Sequence, residues 1–398
     1  MISISEALAI LADNLTTLSP ENVPLEQSGG RFLAERILAR EPSPAFTNSA
    51  MDGYALRSED VAAAADRPVK LALVGESAAG APFSAAIKAG EAMRINTGAV
   101  LCEGADAVVP QEAVTVADEF LMVSAPVAAG AHLRRCGEEF ESGAALLEEG
   151  CRLDARHQAL LAAQGVIEVP VLRRPKAALI LTGRELVHHR ETPANGQIRD
   201  ANGPMLEGLL GENGALCLPR IRVGDNPGET VAAIRTAAQL TDLIICSGGV
   251  SVGPHDHVKE AAAQVGFETL FWRVRQRPGK PLFLARRGPQ LLFGLPGNPV
   301  SAYMCFLFYI APALRAMQGG EFSRQSHPAV LSEAVENKLS RDQLFRVVLE
   351  GSPEGWLATP LAKQGSHMLT SLTGADGFFW LKAGALHPAG SRVEVLQF

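Results

Sequence analysis

Residues 242–261, DLIICSGGVSVGPHDHVKEA, join an apolar segment to a helical one through a glycine-rich loop. The loop contains Ser247, Gly248, Gly249, Ser251 and Gly253. Glycines let the backbone turn tightly, so that its N–H groups and the start of the following helix converge on an anion, while the serines add hydroxyl donors. The pattern predicts a phosphate site, and the alternative is a tight strand-to-helix turn without a ligand. It lacks the G-K-[ST] of a Walker loop and the G-x-G-x-x-G of a dinucleotide site.

The flanking sequence alternates apolar, strand-like runs with helical stretches. The strand-like runs are KAALILT (176–182), ALCLPRIRV (215–223), TDLIICSGG (241–249), ETLFWRV (268–274) and PQLLFGLPG (289–297). Helical patterns lie near residues 202–211, 229–240, 256–265 and 299–317. This alternation predicts βαβ units, and hence a doubly wound, mainly parallel sheet with helices on both faces. Ligands bind such a sheet at the carboxyl ends of its strands.

The segments on either side of this α/β region have a different character. Residues 3–18 place apolar side chains at helical spacing, and Ser3 with Glu6 has the S-x-x-E form of a capping box. Short β-like runs separated by Gly, Ala and Pro extend to about residue 140 and predict an inserted, mostly β domain. Residues 146–172 are mixed. The last 80 or so residues alternate again, which predicts a small β-barrel or sandwich.

Composition argues against several classes of protein. The 398 residues carry a formal net charge of −7, which repels polyanions, so nucleic acid is not an expected partner. The longest apolar run, Tyr303–Leu314, is shorter than the roughly 18 residues that a membrane span needs. The N-terminus has no basic leader before an apolar block, and the six cysteines form no C-x-x-C pair. We therefore expect a cytoplasmic protein with no membrane partner.

A second strand-to-helix junction lies at LLFGLPGNPVSAYMCF, residues 291–306. Asn298 is an expected N-cap and Pro299 suits the first helical position, so this helix start is another candidate for anion binding. A purely structural, well-capped helix explains those two residues. It gives no reason for Gly297 and Ser301 to accompany them.

Arg273, Arg275 and Arg277 alternate in FWRVRQRPGKP, and Lys280 follows the Pro-Gly turn. On a strand, side chains at period two share one face, where like charges repel unless an anion or carboxylates lie opposite. The functional interpretation is an oxyanion pocket. The structural interpretation is an edge strand protected by charge.

Four acidic residues fall at or near the ends of predicted strands: Glu185, Asp200, Asp225 and Asp256. Carboxylates at one edge of a sheet are candidate ligands for Mg²⁺. Each of them alone also suits a helix N-cap or a solvated acid. The histidines form no convincing metal-binding pattern, and spacing alone yields no Ser-His-Asp, Cys-His or G-x-S-x-G arrangement.

Nine motifs follow one another along residues 48–302. They are NSAMDGYAL (48–56), INTGA (95–99), GADAVVPQE (104–112), RRCGEEF (134–140), LTGRELV (181–187), GQIRDAN (196–202), SGGVSVG (247–253), RPGKP (277–281) and GLPGNPVSA (294–302). Together they resemble the molybdopterin molybdenumtransferase family, which comprises MoeA in bacteria and the E domain of gephyrin. The C-terminal 80 residues match more loosely, through LFRV and GADGFFWL. The resemblance implies a Mg²⁺-dependent transferase that inserts molybdate into adenylylated molybdopterin, releases AMP and forms molybdenum cofactor.

The resemblance also implies four regions and a homodimer. The regions are an elongated connector and dimerisation domain (1–45 and 141–172), an inserted β domain with the MDGYA motif (46–140), an α/β molybdopterin-binding domain similar to the molybdopterin adenylyltransferase fold (173–320) and a C-terminal β-barrel (321–398). The MDGYA segment is expected to reach the α/β domain of the second subunit. Molybdopterin adenylyltransferase and molybdoenzyme chaperones are candidate partners.

The resemblance assigns site residues in three groups. The catalytic group is Asp52, Thr97, Glu139, Glu185, Asp225, Asp256, Arg273 and Arg277, among which Glu185, Asp225 and Asp256 would bind the metal. The group that binds the pterin substrate is Asp200, Asn202, Ser247, Gly248, Gly249, Ser251, Gly253, Pro296, Gly297, Asn298 and Pro299. The molybdate group is Arg277, Lys280, Pro281, Ser301, Arg346 and Ser366.

The sequence departs from the family pattern at several of these positions. The family usually has Asp where Arg184 and Glu139 stand, Lys at Arg273 and Arg277, and Tyr-Asp-Ser-Asn at residues 199–202. Lys-to-Arg changes keep the charge but alter its geometry. Arg184 reverses a charge beside a presumed metal ligand, so a divergent paralogue that handles another oxyanion, such as tungstate, stays an alternative. A non-catalytic scaffold or cofactor carrier is another alternative.

Overall fold

The computed structural model describes residues 1–251, 257–353 and 355–398. The chain folds into two compact units. The first comprises Met1–Glu35, Gly150–Gln158 and Glu168–Phe398, and the second comprises Arg36–Glu149 and Ala159–Ile167. The finer division into four regions stays a prediction.

The N-terminal elements belong to the first unit. They are the helix α1 (Ile4–Asp13), the strand β1 (Pro20–Pro24) and a 3₁₀ turn (Leu25–Gln27). The Oγ atom of Ser3 accepts from the N–H of Glu6 at 3.1 Å, and the Glu6 carboxylate accepts from the N–H of Ser3 at 2.6 Å. The predicted capping box is therefore confirmed. One face of α1, including Leu11, is buried in the same core as the helices of the α/β sheet.

The second unit consists mostly of short strands, as the sequence predicts. Its elements are β2 (Ile37–Leu38), β3 (Asn48–Ser49), β4 (Gly53–Leu56), a 3₁₀ helix (Ser58–Ala65), β5 (Val69–Ser77), β6 (Glu91–Ile95), β7 (Ala107–Pro110), a 3₁₀ turn (Gln111–Ala113), β8 (Val114–Ala117), β9 (Phe120–Val123), β10 (Leu133–Arg134) and β11 (Ala145–Leu147). Six strands form one sheet in the order β7-β4-β6-β5-β9-β8. Consecutive residues such as Ala55 and Leu56 are buried in different apolar clusters, because successive side chains of a strand point to opposite faces.

The rest of the first unit is built around a seven-stranded sheet. The helix α2 (Ala155–Ala163) begins in the first unit and continues in the second from Ala159. Before and within the sheet lie β12 (Glu168–Leu172), β13 (Lys176–Thr182), β14 (Leu186–Val187), β15 (Ile198–Arg199), α3 (Asn202–Glu212), β16 (Leu216–Cys217), β17 (Ile221–Val223), α4 (Pro227–Ala237), β18 (Leu243–Ser247), α5 (Val258–Gln264), β19 (Glu268–Trp272), β20 (Gln276–Arg277), β21 (Phe283–Arg287) and β22 (Gln290–Leu295). The sheet order is β16-β13-β18-β22-β21-β19, and β17 also pairs with β13. The pairs among β13, β16, β17, β18 and β22 are parallel, whereas β21 and β19 are added antiparallel.

Helices cover both faces of this sheet. Leu243 and Ile245 of β18 pack with residues of α3 and with the helix that follows β22, whereas Ile244 and Cys246 pack with residues of α4 and α5. The predicted doubly wound, mainly parallel sheet is confirmed. Its parallel strands place their carboxyl ends at one edge, where a ligand site is expected.

An apolar helix follows β22. It consists of α6 (Pro299–Cys305), a π-helical turn (Phe306–Ile310) and α7 (Ala311–Met317). By length and composition the helix could cross a membrane, but 72% of its apolar window is buried inside the fold. Such burial is typical of a core helix, as the sequence predicts for this segment.

The C-terminal part of the first unit is a small barrel. Its elements are β23 (Ser326–Leu331), β24 (Val335–Glu336), β25 (Asp342–Ser352), β26 (Gly355–Pro360), α8 (Thr370–Thr373), β27 (Gly377–Leu381), β28 (Leu386–His387) and β29 (Arg392–Gln397). The order β25-β26-β23-β29-β27 closes because β27 pairs with β25, and β20 is added in parallel to β25. Of the two alternatives left by the sequence, the barrel is correct.

Candidate functional site

A cavity of about 590 Å³ opens at the carboxyl ends of the parallel strands β13, β18 and β22. It is lined by Leu181, Thr182, Gly183, Glu185, Leu186, Ile198, Arg199, Asp200, Ala201, Asn202, Asp225, Ser247, Gly248, Gly249, Val250, Ser251, Pro281, Pro296, Gly297, Asn298 and Pro299. Both strand-to-helix junctions that the sequence analysis identified contribute to its wall. Because these strands are parallel neighbours, segments more than 100 residues apart in sequence meet at one edge.

The glycine-rich turn at the end of β18 requires glycine. Gly248 has a φ of +88° and Gly249 a φ of +69°, a region that L side chains rarely adopt. A Cβ atom on Gly248 would lie 2.7 Å from Thr182 Oγ1 and 2.8 Å from the Thr182 carbonyl oxygen. The N–H of Gly248 donates to the Leu295 carbonyl at 3.0 Å. The turn is thus fixed against the strands on both sides, and Ser247 and Ser251 line the cavity next to it.

Asn202 ties three segments of the cavity wall together. Its Nδ2 atom donates to Ser247 Oγ at 2.7 Å and to the Gly297 carbonyl at 2.8 Å. The side chain is buried, and its Oδ1 atom has no hydrogen-bond partner among the residues that the structure describes. A buried amide oxygen without a donor is destabilising. An N–H or O–H group of a bound molecule would satisfy it.

The predicted acidic residues are brought only partly together. Glu185, Asp200 and Asp225 all line the cavity, whereas Asp256 and Gly253 lie outside the described residues. Asp200 Oδ1 accepts from the N–H of Gly203 at 2.8 Å and so stabilises the start of α3. Within residues 1–251, 257–353 and 355–398, no three Asp, Glu, His or Cys side chains converge as a metal site would require. Glu185 and Asp225 are the two carboxylates left for a cation.

Arg346 is a guanidinium buried completely in the barrel. Its Nη2 atom donates to the carbonyls of Lys363 at 3.1 Å and Gly365 at 3.4 Å. Its Nε and Nη1 atoms are buried and find no partner in the described part of the chain. Burial, followed by the positive charge of Arg277, lowers the pKa of Arg346 to about 10, so the group still carries its charge at neutral pH. Two unpartnered, charged N–H groups are the donors that an oxyanion needs.

The other residues that were predicted to bind molybdate lie in different parts of the first unit. The segment after β26, whose carbonyls accept from Arg346, also contains Ser366. The Ser366 hydroxyl accepts from Asn298 Nδ2 at 3.3 Å, and this hydrogen bond joins the barrel to the cavity wall. Pro281 lines the cavity, and Lys280 is exposed one residue before it. Ser301 is buried in the first turn of α6 and does not line the cavity.

Asn298 stands at the N-cap of α6, as the sequence predicts; its side chain makes no capping hydrogen bond, and its Nδ2 atom donates to Ser366 Oγ. The strand that would align the arginines is interrupted. The three alternating arginines do not share one strand face, since β19 ends at Trp272, Arg273 has a φ of +69° and β20 begins at Gln276. The left-handed residue breaks the period of two.

Arg273 packs on a ring that holds the glycine-rich loop. Its guanidinium lies 4.0 Å from the centroid of Trp272, and Lys259 Nζ lies 3.4 Å from the same centroid. The indole N–H of Trp272 donates to the Val250 carbonyl at 2.9 Å. Arg273 itself does not line the cavity. The structure therefore relates Arg273 to the loop through Trp272, a residue that the sequence analysis did not single out.

Three predicted catalytic residues lie in the second unit. Asp52 Oδ1 accepts from the N–H of Thr97 at 2.7 Å, and this hydrogen bond lowers the pKa of Asp52. Glu139 Oε2 accepts from Ser43 Oγ at 2.7 Å. Asp52 and Thr97 thus form one local cluster, and Glu139 is held elsewhere in the unit by a serine.

Sequence reasoning missed several residues of the cavity wall: Thr182, Leu186, Ile198 and Arg199. Thr182 ends β13, the parallel neighbour of β18, so the rule about carboxyl ends could have identified it. Ile198 is 57% exposed, which is unusual for a large apolar side chain and becomes informative only when the cavity is known.

Comparison with known proteins supports a single relationship along the whole chain. Residues 2–165 match the family described as MoeA N-terminal region (domain I and II), residues 178–316 a probable molybdopterin binding domain, and residues 328–398 the MoeA C-terminal region (domain IV). The molybdopterin molybdenumtransferase of Bacillus subtilis is 34% identical over 383 residues, covering 94% of this chain and 89% of that protein. The Synechococcus elongatus protein of the same name is 37% identical over 407 residues, covering 99% of each.

Solved structures agree with these sequence matches. A crystal structure of the molybdopterin biosynthesis MoeA protein from Pyrococcus horikoshii has a TM-score of 0.87 at 31% identity and covers 100% of this chain and 99% of that one. A second structure of the protein from that organism has a TM-score of 0.86 at 27% identity. The similarity therefore extends over both units.

Proposed function

The chain belongs to the molybdopterin molybdenumtransferase (MoeA) family, and from this premise we propose that it inserts molybdenum into molybdopterin during the biosynthesis of molybdenum cofactor. In the finer form of the proposal, the substrates are adenylylated molybdopterin and molybdate, and AMP is released in a Mg²⁺-dependent reaction. A homodimeric, cytoplasmic enzyme with molybdopterin adenylyltransferase and molybdoenzyme chaperones as partners is part of the same proposal.

The observation that carries the proposal is that the glycine-rich turn at Gly248 and Gly249 occurs together with the buried guanidinium of Arg346, whose Nε and Nη1 atoms have no hydrogen-bond partner among the described residues. The turn at Gly248 lines the cavity, and the Asn298–Ser366 hydrogen bond connects that cavity to the segment that packs on Arg346. An adenylylated pterin brings phosphate groups for the turn, and molybdate brings oxygens for the Nε and Nη1 atoms of Arg346. A site for phosphate alone would give no role to Arg346.

Different residues of the site would position the phosphate groups, bind molybdate and contact the pterin ring. Asn202 holds the end of β18 and the start of α6 at fixed positions through Ser247 and Gly297, so the phosphate groups meet donors that need no rearrangement. Arg346 and Arg277 hold the dianionic molybdate, partly out of water, where charge-assisted hydrogen bonds are stronger. The apolar side chains of Leu186 and Ile198 offer a wall for the pterin ring.

The donor set also fits Mg²⁺. Mg²⁺ commonly keeps several waters and is bound by one or two carboxylates together with phosphate oxygens of the substrate. Glu185 and Asp225 supply two carboxylates on the cavity wall, and Asp256 is the third expected ligand by sequence. When bound, the cation would neutralise charge on the phosphate groups as AMP leaves.

The decisive experiment measures AMP release from adenylylated molybdopterin in the presence of molybdate and Mg²⁺. We expect AMP and active cofactor with the wild-type chain and with Arg392→Ala, which removes an exposed charge from β29 of the barrel. Arg346→Ala should raise the molybdate concentration needed by at least about tenfold. Failure to release AMP or to form cofactor would favour a scaffold or cofactor carrier, and half-saturation at much lower tungstate than molybdate would favour the other oxyanion.

A further inference from the structure

A second cavity, of about 350 Å³, lies within the first unit and shares no lining residue with the candidate active site. Its size falls within the roughly 300–1,000 Å³ of small-molecule sites. The wall combines the turn at Gly30 and Phe32, the end of α3 with the turn after it (211–214), and the end of α7. We refer to it as the arginine cavity, after its charged residues Arg152, Arg174 and Arg315.

The three arginines come from separate segments and have no acidic partner in the part of the chain that the structure describes. Within the described residues, no carboxylate oxygen lies within 4 Å of the guanidinium of Arg152, Arg174 or Arg315, although the chain carries 43 Asp and Glu residues. Glu212 is the one acidic residue on the cavity wall. In a chain with a net charge of −7, three unpaired guanidiniums around one cavity concentrate positive charge against the overall balance.

Arg315 is half-buried, whereas Arg152 and Arg174 are exposed, so water screens part of the repulsion among the three charges. Burial, and then the positive charge of Arg152, lower the pKa of Arg315, while Glu321 opposes this shift. An adjoining cavity of about 150 Å³ shares Asn213, Arg315 and Gln325 with the arginine cavity and adds Arg324. Arg324 is likewise without an ion pair in the described chain, and its guanidinium lies 4.4 Å from the centroid of Phe308. An anion between these groups would remove the repulsion.

The cavity wall is fixed by hydrogen bonds. The buried Gln318 donates through Nε2 to the Asn213 carbonyl at 3.0 Å and to the Leu314 carbonyl at 2.9 Å. Gly214 has a φ of +78°, and a Cβ atom there would lie 2.7 Å from Gln318 Oε1. The turn after α3 is therefore held against α7, which supports the position of Arg315. The cavity is a built feature of the fold.

We propose that the arginine cavity binds a phosphate-bearing anion with at least two negative charges, of the size of pyrophosphate or a small phosphate ester. Guanidiniums that approach from three segments suit the oxygens of a tetrahedral phosphate, which point in several directions. A single carboxylate presents one planar edge to one or two of them. The remaining volume and the edge of Phe32 leave room for an organic group. The proposal does not rest on the function of the first cavity.

Isothermal titration calorimetry of the full-length chain with sodium pyrophosphate, without Mg²⁺ and at low ionic strength, tests the proposal. We expect the double variant Arg152→Ala/Arg315→Ala to lose at least about tenfold in affinity at one class of site. The double variant Arg235→Ala/Arg392→Ala removes the same two positive charges from exposed positions of α4 and β29 and should bind pyrophosphate as the wild type does. Arg346→Ala should keep this class of site, which separates it from the candidate active site.

Several results would overturn the proposal. They are unchanged pyrophosphate binding in the double variant, no binding to the wild type at millimolar pyrophosphate, and tighter binding of citrate than of pyrophosphate at the same site. Sedimentation of each variant shows whether the arginines serve a contact between subunits, and a changed oligomeric state with unchanged binding would also contradict it. If the double variant does not fold, Arg174→Gln gives the same test at an exposed position.

Discussion

Arg184 Nε lies 3.5 Å from Asp225 Oδ2 at the edge of the candidate active site. Asp225 is 22% exposed and Arg184 79% exposed, so the arginine reaches from solvent to a carboxylate on the cavity wall. The guanidinium places one positive charge where the proposed Mg²⁺ would bring two. In the proposed metal site, Arg184 would therefore compete with the cation for the Asp225 carboxylate.

Removing this competitor should strengthen Mg²⁺ binding. We expect Arg184→Ala to lower the Mg²⁺ concentration at half-saturation by roughly two- to fivefold, the modest size being that of an exposed ion pair. Calorimetric titration with Mg²⁺ and the Mg²⁺ dependence of AMP release both measure it. Arg36→Ala is the matched control, because Arg36 is an exposed arginine that pairs with Glu148 at 2.7 Å in the second unit. A higher Mg²⁺ requirement in Arg184→Ala would show that the arginine assists the cation.

Arg346 should bind molybdate rather than hold the barrel together. In Arg346→Met, an unbranched apolar side chain that reaches about as far as Nε occupies the buried position without the unpartnered N–H groups. We expect molybdate to raise the melting temperature of the wild type and not that of Arg346→Met, as differential scanning calorimetry would show. Arg277→Ala should lose part of this stabilisation and the exposed Lys280→Ala less. An equal shift in the wild type and Arg346→Met would place the oxyanion elsewhere.

Gly248 should be irreplaceable because of its conformation and its neighbour. Gly248→Ala puts a Cβ atom 2.7–2.8 Å from two Thr182 oxygens at a φ of +88°. We expect a loss of at least about 1–2 kcal/mol in the free energy of unfolding, together with loss of substrate binding. Gly208→Ala is the control, because Gly208 is exposed within α3 and its Cβ would meet open space, so a gain of about 0.5–1 kcal/mol is expected. Urea denaturation of both variants distinguishes these outcomes.

Asp242 should stabilise the opposite end of the same sheet in a pH-dependent manner. Burial alone would raise its pKa, but two hydrogen bonds from Arg173 at 2.6 Å and one from the N–H of Lys176 at 2.9 Å bring the pKa below its usual value. A depressed folded-state pKa means that the stabilisation is present above the unfolded pKa, about 4, and is lost as pH falls through the folded value.

Asp242→Asn should therefore cost about 1–3 kcal/mol in the free energy of unfolding at pH 7, with little effect on activity. The difference from the wild type should stay constant down to about pH 5 and shrink below about pH 4. Denaturant titrations across this range measure it. A difference that grows on acidification would contradict the assigned sign.

The sequence predicts the α/β sheet and its ligand edge because parallel strands buried on both faces leave a strong apolar pattern, as in Leu243–Ser247. By the same rule Asp242, which precedes β18, lies at the end of the sheet away from the site. The arrangement of Arg273, Arg275 and Arg277 could not be predicted, because Arg273 adopts a left-handed φ that nothing in the local sequence indicates. This conformation interrupts the alternation of side chains along the strand. Trp272 could not be predicted, because its role depends on the Val250 carbonyl, which approaches its indole only in the folded chain. Thr182 ends β13, so the rule about carboxyl ends could have identified it.

The active site is predicted to combine residues of two subunits. Asp52 is exposed in the second unit, and the hydrogen bond that it accepts from the N–H of Thr97 lowers its pKa, so it carries a charge at neutral pH. The family resemblance implies that this segment reaches the cavity of the partner subunit. Asp52→Ala and Arg346→Ala should each be inactive alone at limiting molybdate.

Mixing these two variants distinguishes a shared site from a site within one chain. In a heterodimer with shared sites, one site combines the intact Asp52 of one chain with the intact Arg346 of the other, and the second site carries both substitutions. With complete exchange, half of the dimers are mixed, so about a quarter of the wild-type AMP release should return. If each site used one chain only, every site in the mixture would carry one substitution and no activity would return.

Subunit exchange is verified with differently tagged chains, and each variant mixed with itself is the control. A monomer in sedimentation, or no recovery after verified exchange, would rule out the shared site.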